Sequence, residues 1–132
     1  HTKVLRMKSQ ARFALHKLAI SRLELLENGQ IAFTHLNKID FTENNAKIGD
    51  HEGIVDIGRN LENVSVSVFI REDDGYHVSM RSNGTIDVNE IAQAFNGGGH
   101  KNASGGELYG TMEMAVERFK QALQKYKAEL TE

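Results

Sequence analysis

The stretch that most constrains this fold is Asn96-Gly97-Gly98-Gly99-His100-Lys101-Asn102-Ala103-Ser104-Gly105-Gly106. Five of the chain's twelve glycines fall within these eleven residues. Three glycines in a row are a costly way to make a turn, because glycine loses more backbone freedom on folding than any other residue. They make sense where backbone must come close to something. Successive amide groups of such a loop can converge on an anion. His100, Lys101, Asn102 and Ser104 add polar side chains beside them. The expectation is a loop that holds a phosphate ester.

The neighbouring residues narrow that expectation. A P-loop needs Lys-Ser/Thr after its last glycine, but Gly99 is followed by His100. A dinucleotide fingerprint needs a strand before the glycines and a helix after them. Here the order is reversed. Asp87-Val88-Asn89-Glu90 is a capping-box pattern that opens a short helix to Phe95. Asn96-Gly97 stops it, and Ala103 to Tyr109 reads as an extended segment. No two histidines stand three or four residues apart, and no carboxylates cluster around His100. A metal site in this chain is therefore not expected.

The rest of the pattern supplies the scaffold. Residues 10–28 read as a helix with Ala11, Leu15, Leu18, Arg22 and Leu25 on one stripe, ended by Asn28-Gly29. Gln30 to Leu36 reads as a strand covered on both faces. A helical turn over Phe41–Ala46 capped by Thr42 follows, then a second helix from an Asp50 cap through Leu61. Gly53 and Gly58 weaken that second helix and are read as close-packing positions. Val64, Val66, Val68 and Ile70 alternate with Ser65, Ser67, Phe69 and Arg71, and Tyr76, Val78 and Met80 alternate with His77, Ser79 and Arg81. A two-residue Asp74-Gly75 loop would set apolar residues opposite polar ones. A three-residue loop, Asp73-Asp74-Gly75, pairs Ile70 with Val78 and Val68 with Met80, and is preferred on that ground. It also sets Arg81 opposite Ser67 and His77 opposite Arg71. Thr111 caps a final amphipathic helix from Met112 to about Leu130. The fold class expected is α/β: a single domain, with a mixed β-sheet built on a central hairpin and flanking helices.

With 132 residues there is room for one sizeable core. A formal charge of −2 gives no broad basic field, so bulk electrostatic binding of long duplex nucleic acid is not indicated. There are no cysteines, which excludes disulfides and thiolate metal sites and permits an intracellular setting. No apolar run is long enough for a membrane helix. The chain opens on His1 and moves straight into helical pattern. Residues 1–29 are accordingly expected to be a connecting helix from an upstream domain, with 30–132 as the substrate-binding domain.

Together these residues resemble the C-terminal DHH-associated domain of DHH-family phosphoesterases. The hallmark is Gly97-Gly98-Gly99-His100 followed by Ala103-Ser104-Gly105. Glu52-Gly53-Ile54-Val55-Asp56 with Arg59, Met80-Arg81-Ser82, Ile86-Asp87-Val88 and Ile91-Ala92 are similar to stretches of its nanoRNase and phosphoadenosine-phosphate phosphatase subgroup. The resemblance implies substrate contacts by Arg81, Ser82, Gly97, Gly98, Gly99, His100, Asn102 and Ser104. It implies short RNA or 3'-phosphoadenosine 5'-phosphate as substrate, and a cytoplasmic hydrolase that dimerises through a region outside this chain. Manganese, or another divalent metal, would sit on an N-terminal DHH domain of the same protein. Neither an Asp-His-His sequence nor the other metal-binding aspartates occur in these residues, so the chain alone is expected to bind nucleotide weakly and not hydrolyse it. Two other readings follow from related domains: a cyclic dinucleotide phosphodiesterase, and a non-catalytic RNA-binding or oligomerisation module.

Overall fold

A computed structural model describes residues 9–126. Six strands form one mixed sheet: β1 (Glu24–Leu26), β2 (Ile31–Leu36), β3 (Val66–Glu72), β4 (Tyr76–Ser82), β5 (Gly98–His100) and β6 (Ala103–Leu108). Their order across the sheet is β1-β2-β3-β4-β6-β5. Among the described strands only β2 and β3 run parallel. Among the described residues five α-helices accompany the sheet: α1 (Gln10–Ser21), α2 (Lys38–Glu43), α3 (Ile54–Arg59), α4 (Val88–Ala92) and α5 (Met112–Leu123). This is the α/β single domain on a mixed sheet that the pattern predicts.

Alternation along the strands divides the core into two layers. Val66, Val68 and Ile70 of β3 join Val78 and Met80 of β4, and all are buried with Ile91, Phe95 and Phe119 beneath α4 and α5. Phe69, one residue out of phase, packs in the opposite layer with Leu36 of β2 and with Leu15, Phe41, Ile54 and Val55 of the first three helices. Strand β2 is buried on both faces, as expected for a strand covered on both sides. The hairpin takes the three-residue loop. Ile70 faces Val78, Val68 faces Met80, Ser67 faces Arg81 and Arg71 faces His77. Gly75 is left-handed as expected, at φ +105°, and Asp74 before it is too, at φ +49°.

Several element boundaries differ from expectation. The helix expected over 10–28 stops at Ser21, and residues 24–26 become β1. Asn28-Gly29 does adopt positive φ, but inside the turn that returns β1 into β2 rather than as a helix cap. The residues that stop a helix are those that make a hairpin turn, so local sequence cannot separate the two outcomes. Helix α2 begins earlier than the expected turn. Its start is fixed by the Asp40 carboxylate, which accepts from the Asn37 N–H at 2.6 Å, and not by Thr42. Helix α3 begins at Ile54 after Gly53, at φ +92°, not at an Asp50 cap. Gly58 is a packing glycine: a Cβ there would lie 2.4 Å from the Ser67 Oγ. Asp87 caps α4, but Glu90 reaches away to Lys125 and Tyr126 instead of closing the box. Thr111 caps α5, accepting from the Met114 N–H. Leu130, expected on the inward stripe of that helix, lies outside the described residues.

Candidate functional site

On the face that carries α1, α2 and α3, the helices cover the β2 and β3 side. Residues of β4 on this face (His77, Ser79 and Arg81) are only half-buried. The register sets out a row across three strands: Arg81 pairs with Ala103, and Ala103 pairs with His100. Adjacent strands lie about 4.8 Å apart, so the Arg81 and His100 backbones are separated by about 10 Å with only a methyl side chain between them. In the next row Ser79 pairs with Gly105, and Gly105 with Gly98. Small residues thus leave a shallow floor between an arginine and a histidine.

Arg81 is held from one side. Its Nε lies 3.4 Å from the Asp56 carboxylate on α3, and one terminal nitrogen donates to the Met80 carbonyl at 2.9 Å. The other terminal nitrogen carries two further donors, suited to a phosphate oxygen. Between β4 and the loop before α3 lies a cleft of about 310 Å³, lined by His51, Glu52, Gly53, Val55, Phe69, Ser79 and Arg81. His51 stacks on Phe69 with ring centroids 6.1 Å apart, and its Nδ1 accepts from the Gly49 N–H at 3.2 Å. Burial, followed by the nearby Arg71 charge, pushes the His51 pKa down. The ring is therefore neutral, with its proton on Nε2. Arg12 of α1 staples this loop in place, donating to the Gly49 carbonyl at 3.1 Å and the Glu52 carbonyl at 2.6 Å.

The Gly-rich stretch is not the open cradle its composition suggests. Gly98–His100 is an edge strand, joined to β6 by a two-residue turn at Lys101-Asn102. Two of the amides expected to converge on a ligand are used inside the fold. The Gly97 N–H donates to the Ala92 carbonyl, and the Gly99 N–H donates to Asn89 Oδ1. A Cβ at Gly97 would sit 1.9 Å from the Gly105 carbonyl oxygen, so this glycine lets two chain segments touch. Ser82 and Ser104 are also placed differently from expectation. Both are buried on the α4 side, where the Ser82 Oγ donates to the Ile86 carbonyl and the Ser104 Oγ to the Val88 carbonyl, at 2.6 and 2.7 Å. Their part is to hold the start of α4 against the sheet. Arg81, Gly98, His100 and Asn102 remain exposed or half-exposed around the open edge. The sequence reading missed His51 altogether, because it stands in a turn with no periodicity and meets Arg81 only through the tertiary fold.

Among the described residues, no three His, Asp or Glu side chains gather as a metal site. Nor is any helix among them long and apolar enough to cross a membrane.

Such a fold, a mixed sheet with a polar half-face beside a glycine-rich edge, defines a domain of α/β type. The chain belongs to the DHHA1 domain family, whose pattern matches residues 28–132. It is 31% identical over 116 residues to a 3',5'-cyclic-nucleotide phosphodiesterase of Helicobacter pylori, covering 76% of this chain and 33% of that protein. It is 37% identical over 78 residues to the bifunctional oligoribonuclease and PAP phosphatase NrnA of Thermus thermophilus, covering 58% and 24%. A solved structure of an exopolyphosphatase-related protein from Bacteroides fragilis superposes with a TM-score of 0.87 at 43% identity, over 94% of this chain and 37% of that one. The chain thus spans between a quarter and a third of the length of the curated relatives it matches. The domain is one associated with DHH-family phosphoesterases.

Proposed function

We propose that this domain is the substrate-holding half of a metal-dependent phosphoesterase, and that the whole cytoplasmic enzyme hydrolyses short oligoribonucleotides, 3'-phosphoadenosine 5'-phosphate, or both. The observation that carries this reading is the Arg81–Ala103–His100 row, in which a guanidinium and an imidazole flank a side-chain-poor floor at the open sheet edge. Arg81 supplies forked donors to phosphate oxygens, and His100 supplies a second donor about two strands away. Asn102 and Gly98 border the same edge. Water activation is then the work of manganese or a similar ion on a DHH domain of the same protein, against which this face closes. Dimerisation through that domain belongs to the same reading.

The test is kinetic, in the full-length enzyme. Arg81→Ala and His100→Ala are each expected to lower kcat/KM at least about tenfold, a loss of about 1.4 kcal/mol or more of transition-state binding. The melting temperature should stay near wild type, since an exposed pair such as Arg81–Asp56 contributes only about 0–1 kcal/mol. Unchanged activity per folded molecule in both variants would overturn the reading.

A second reading within the same chemistry is supported by the Helicobacter pylori relative, whose match extends over more of this chain than that of NrnA. In it the substrate is a cyclic nucleotide or cyclic dinucleotide. Comparing turnover of 3'-phosphoadenosine 5'-phosphate, a short RNA and cyclic nucleotides by the full-length enzyme separates the two.

A further inference from the structure

We infer that the cleft beside Arg81 is a nucleoside subsite, with His51 and Ser79 as its hydrogen-bonding side chains, and that the phosphate lies on the opposite, Gly-rich side of Arg81. This rests on the nucleotide-phosphate reading above and fixes which way round the nucleotide lies.

Charge carries the first part of the argument. The cleft holds the Glu52 carboxylate, and Asp56 stands 3.4 Å from Arg81. A phosphate placed there would meet two carboxylates at close range, although Arg71 and Arg12 also stand near His51. On the other side of Arg81 the register offers Ala103, then His100, with no carboxylate in the row. The anionic part of a ligand therefore goes toward His100, and the uncharged part falls into the cleft.

Shape and chemistry carry the second part. A volume of about 310 Å³ is at the lower end of small-ligand pockets, in the range of a base with its ribose. His51 is neutral and carries its proton on Nε2, because Nδ1 is occupied as an acceptor. A neutral donor of this kind suits a ring nitrogen or ribose oxygen and would be a poor phosphate clamp. Ser79 donates or accepts, and the Glu52 carboxylate accepts from a hydroxyl or exocyclic amine. The wall is preorganised: Arg12 fixes the loop at two carbonyls, and the His51 ring is seated on Phe69.

The experiment titrates this chain with adenosine 5'-monophosphate and, separately, with inorganic phosphate, following the His51 ring and Arg81 side-chain NMR signals. The nucleotide should move both residues, whereas phosphate should move Arg81 and leave His51 in place. His51→Phe keeps a ring on Phe69 but removes the donor. It should weaken nucleotide binding at least fivefold and leave phosphate binding unchanged. Ser79→Ala, which leaves the loop untouched, should act in the same direction, so the conclusion does not hang on one variant. The inference is overturned if phosphate moves His51 as strongly as the nucleotide does, or if neither variant weakens the nucleotide. Absence of binding by both ligands at millimolar concentration would instead overturn the nucleotide-phosphate reading, and this one with it.

Discussion

At Asp40, burial and pairing act in opposite directions. The residue is almost fully buried at the start of α2, which by itself raises a carboxyl pKa. Arg22 answers with two hydrogen bonds, at 2.6 and 3.0 Å, and the Asn37 N–H adds a third. These outweigh burial and hold the group below its ordinary value of 3.8. A depressed carboxyl pKa stabilises the fold above the unfolded value and loses that contribution as pH falls. Asp40→Asn keeps the shape but turns one acceptor into a donor facing a guanidinium. It is expected to cost about 2–3 kcal/mol in urea denaturation at pH 7, and less in acid below the ordinary carboxyl range. An equal loss at pH 7 and in acid would show that packing, not charge, holds this corner.

Among the elements, the glycine-rich edge separates what sequence shows from what it hides. That glycines were required there was legible; what they approach was not. Gly97 is pressed against the Gly105 carbonyl, whereas a Cβ at Gly98 would meet only the end of the Asn89 side chain, at 3.2 Å. Gly97→Ala is thus expected to cost about 3 kcal/mol or more, because two backbone segments cannot both give way. Gly98→Ala should cost under about 1 kcal/mol, and any loss of ligand binding in it belongs to the site and not the fold. Thermal melting paired with ligand titration reads both; equal destabilisation by the two variants would refute the distinction. The hairpin was legible down to its register, because only one pairing keeps Ile70, Val68, Val78 and Met80 together. Strand β1 was not, since Arg22 and Leu25 continue the helical stripe of Leu15 and Leu18 and only pairing with β2 decides otherwise. Likewise the hydroxyls of Ser82 and Ser104 look like site groups in one dimension. Strand alternation turns both toward α4, a consequence visible only once β4 and β6 are paired.

For the whole molecule, two histidines contribute to how the fold answers to mild acid. His35 on β2 and His51 in the loop before α3 both have pKa values pushed below the ordinary 6.5, chiefly by burial. The next cause in each case is a neighbouring guanidinium, Arg22 for His35 and Arg71 for His51. Above about pH 7 both are neutral whether folded or unfolded, so they give stability no pH dependence. As pH drops through 6.5, the unfolded chain takes up protons that the folded chain refuses, and stability falls. Each histidine contributes a slope of at most about 1.4 kcal/mol per pH unit. The slope ends once the folded rings also protonate, and the Asp40 contribution is lost at lower pH still. Urea midpoints between pH 8 and pH 5 should therefore be flat at the upper end and decline below about 6.5. In a His35→Gln, His51→Phe double variant that decline should flatten relative to wild type. An unchanged decline would mean that the two rings accept protons in the fold as readily as out of it, and that their burial is lost in solution.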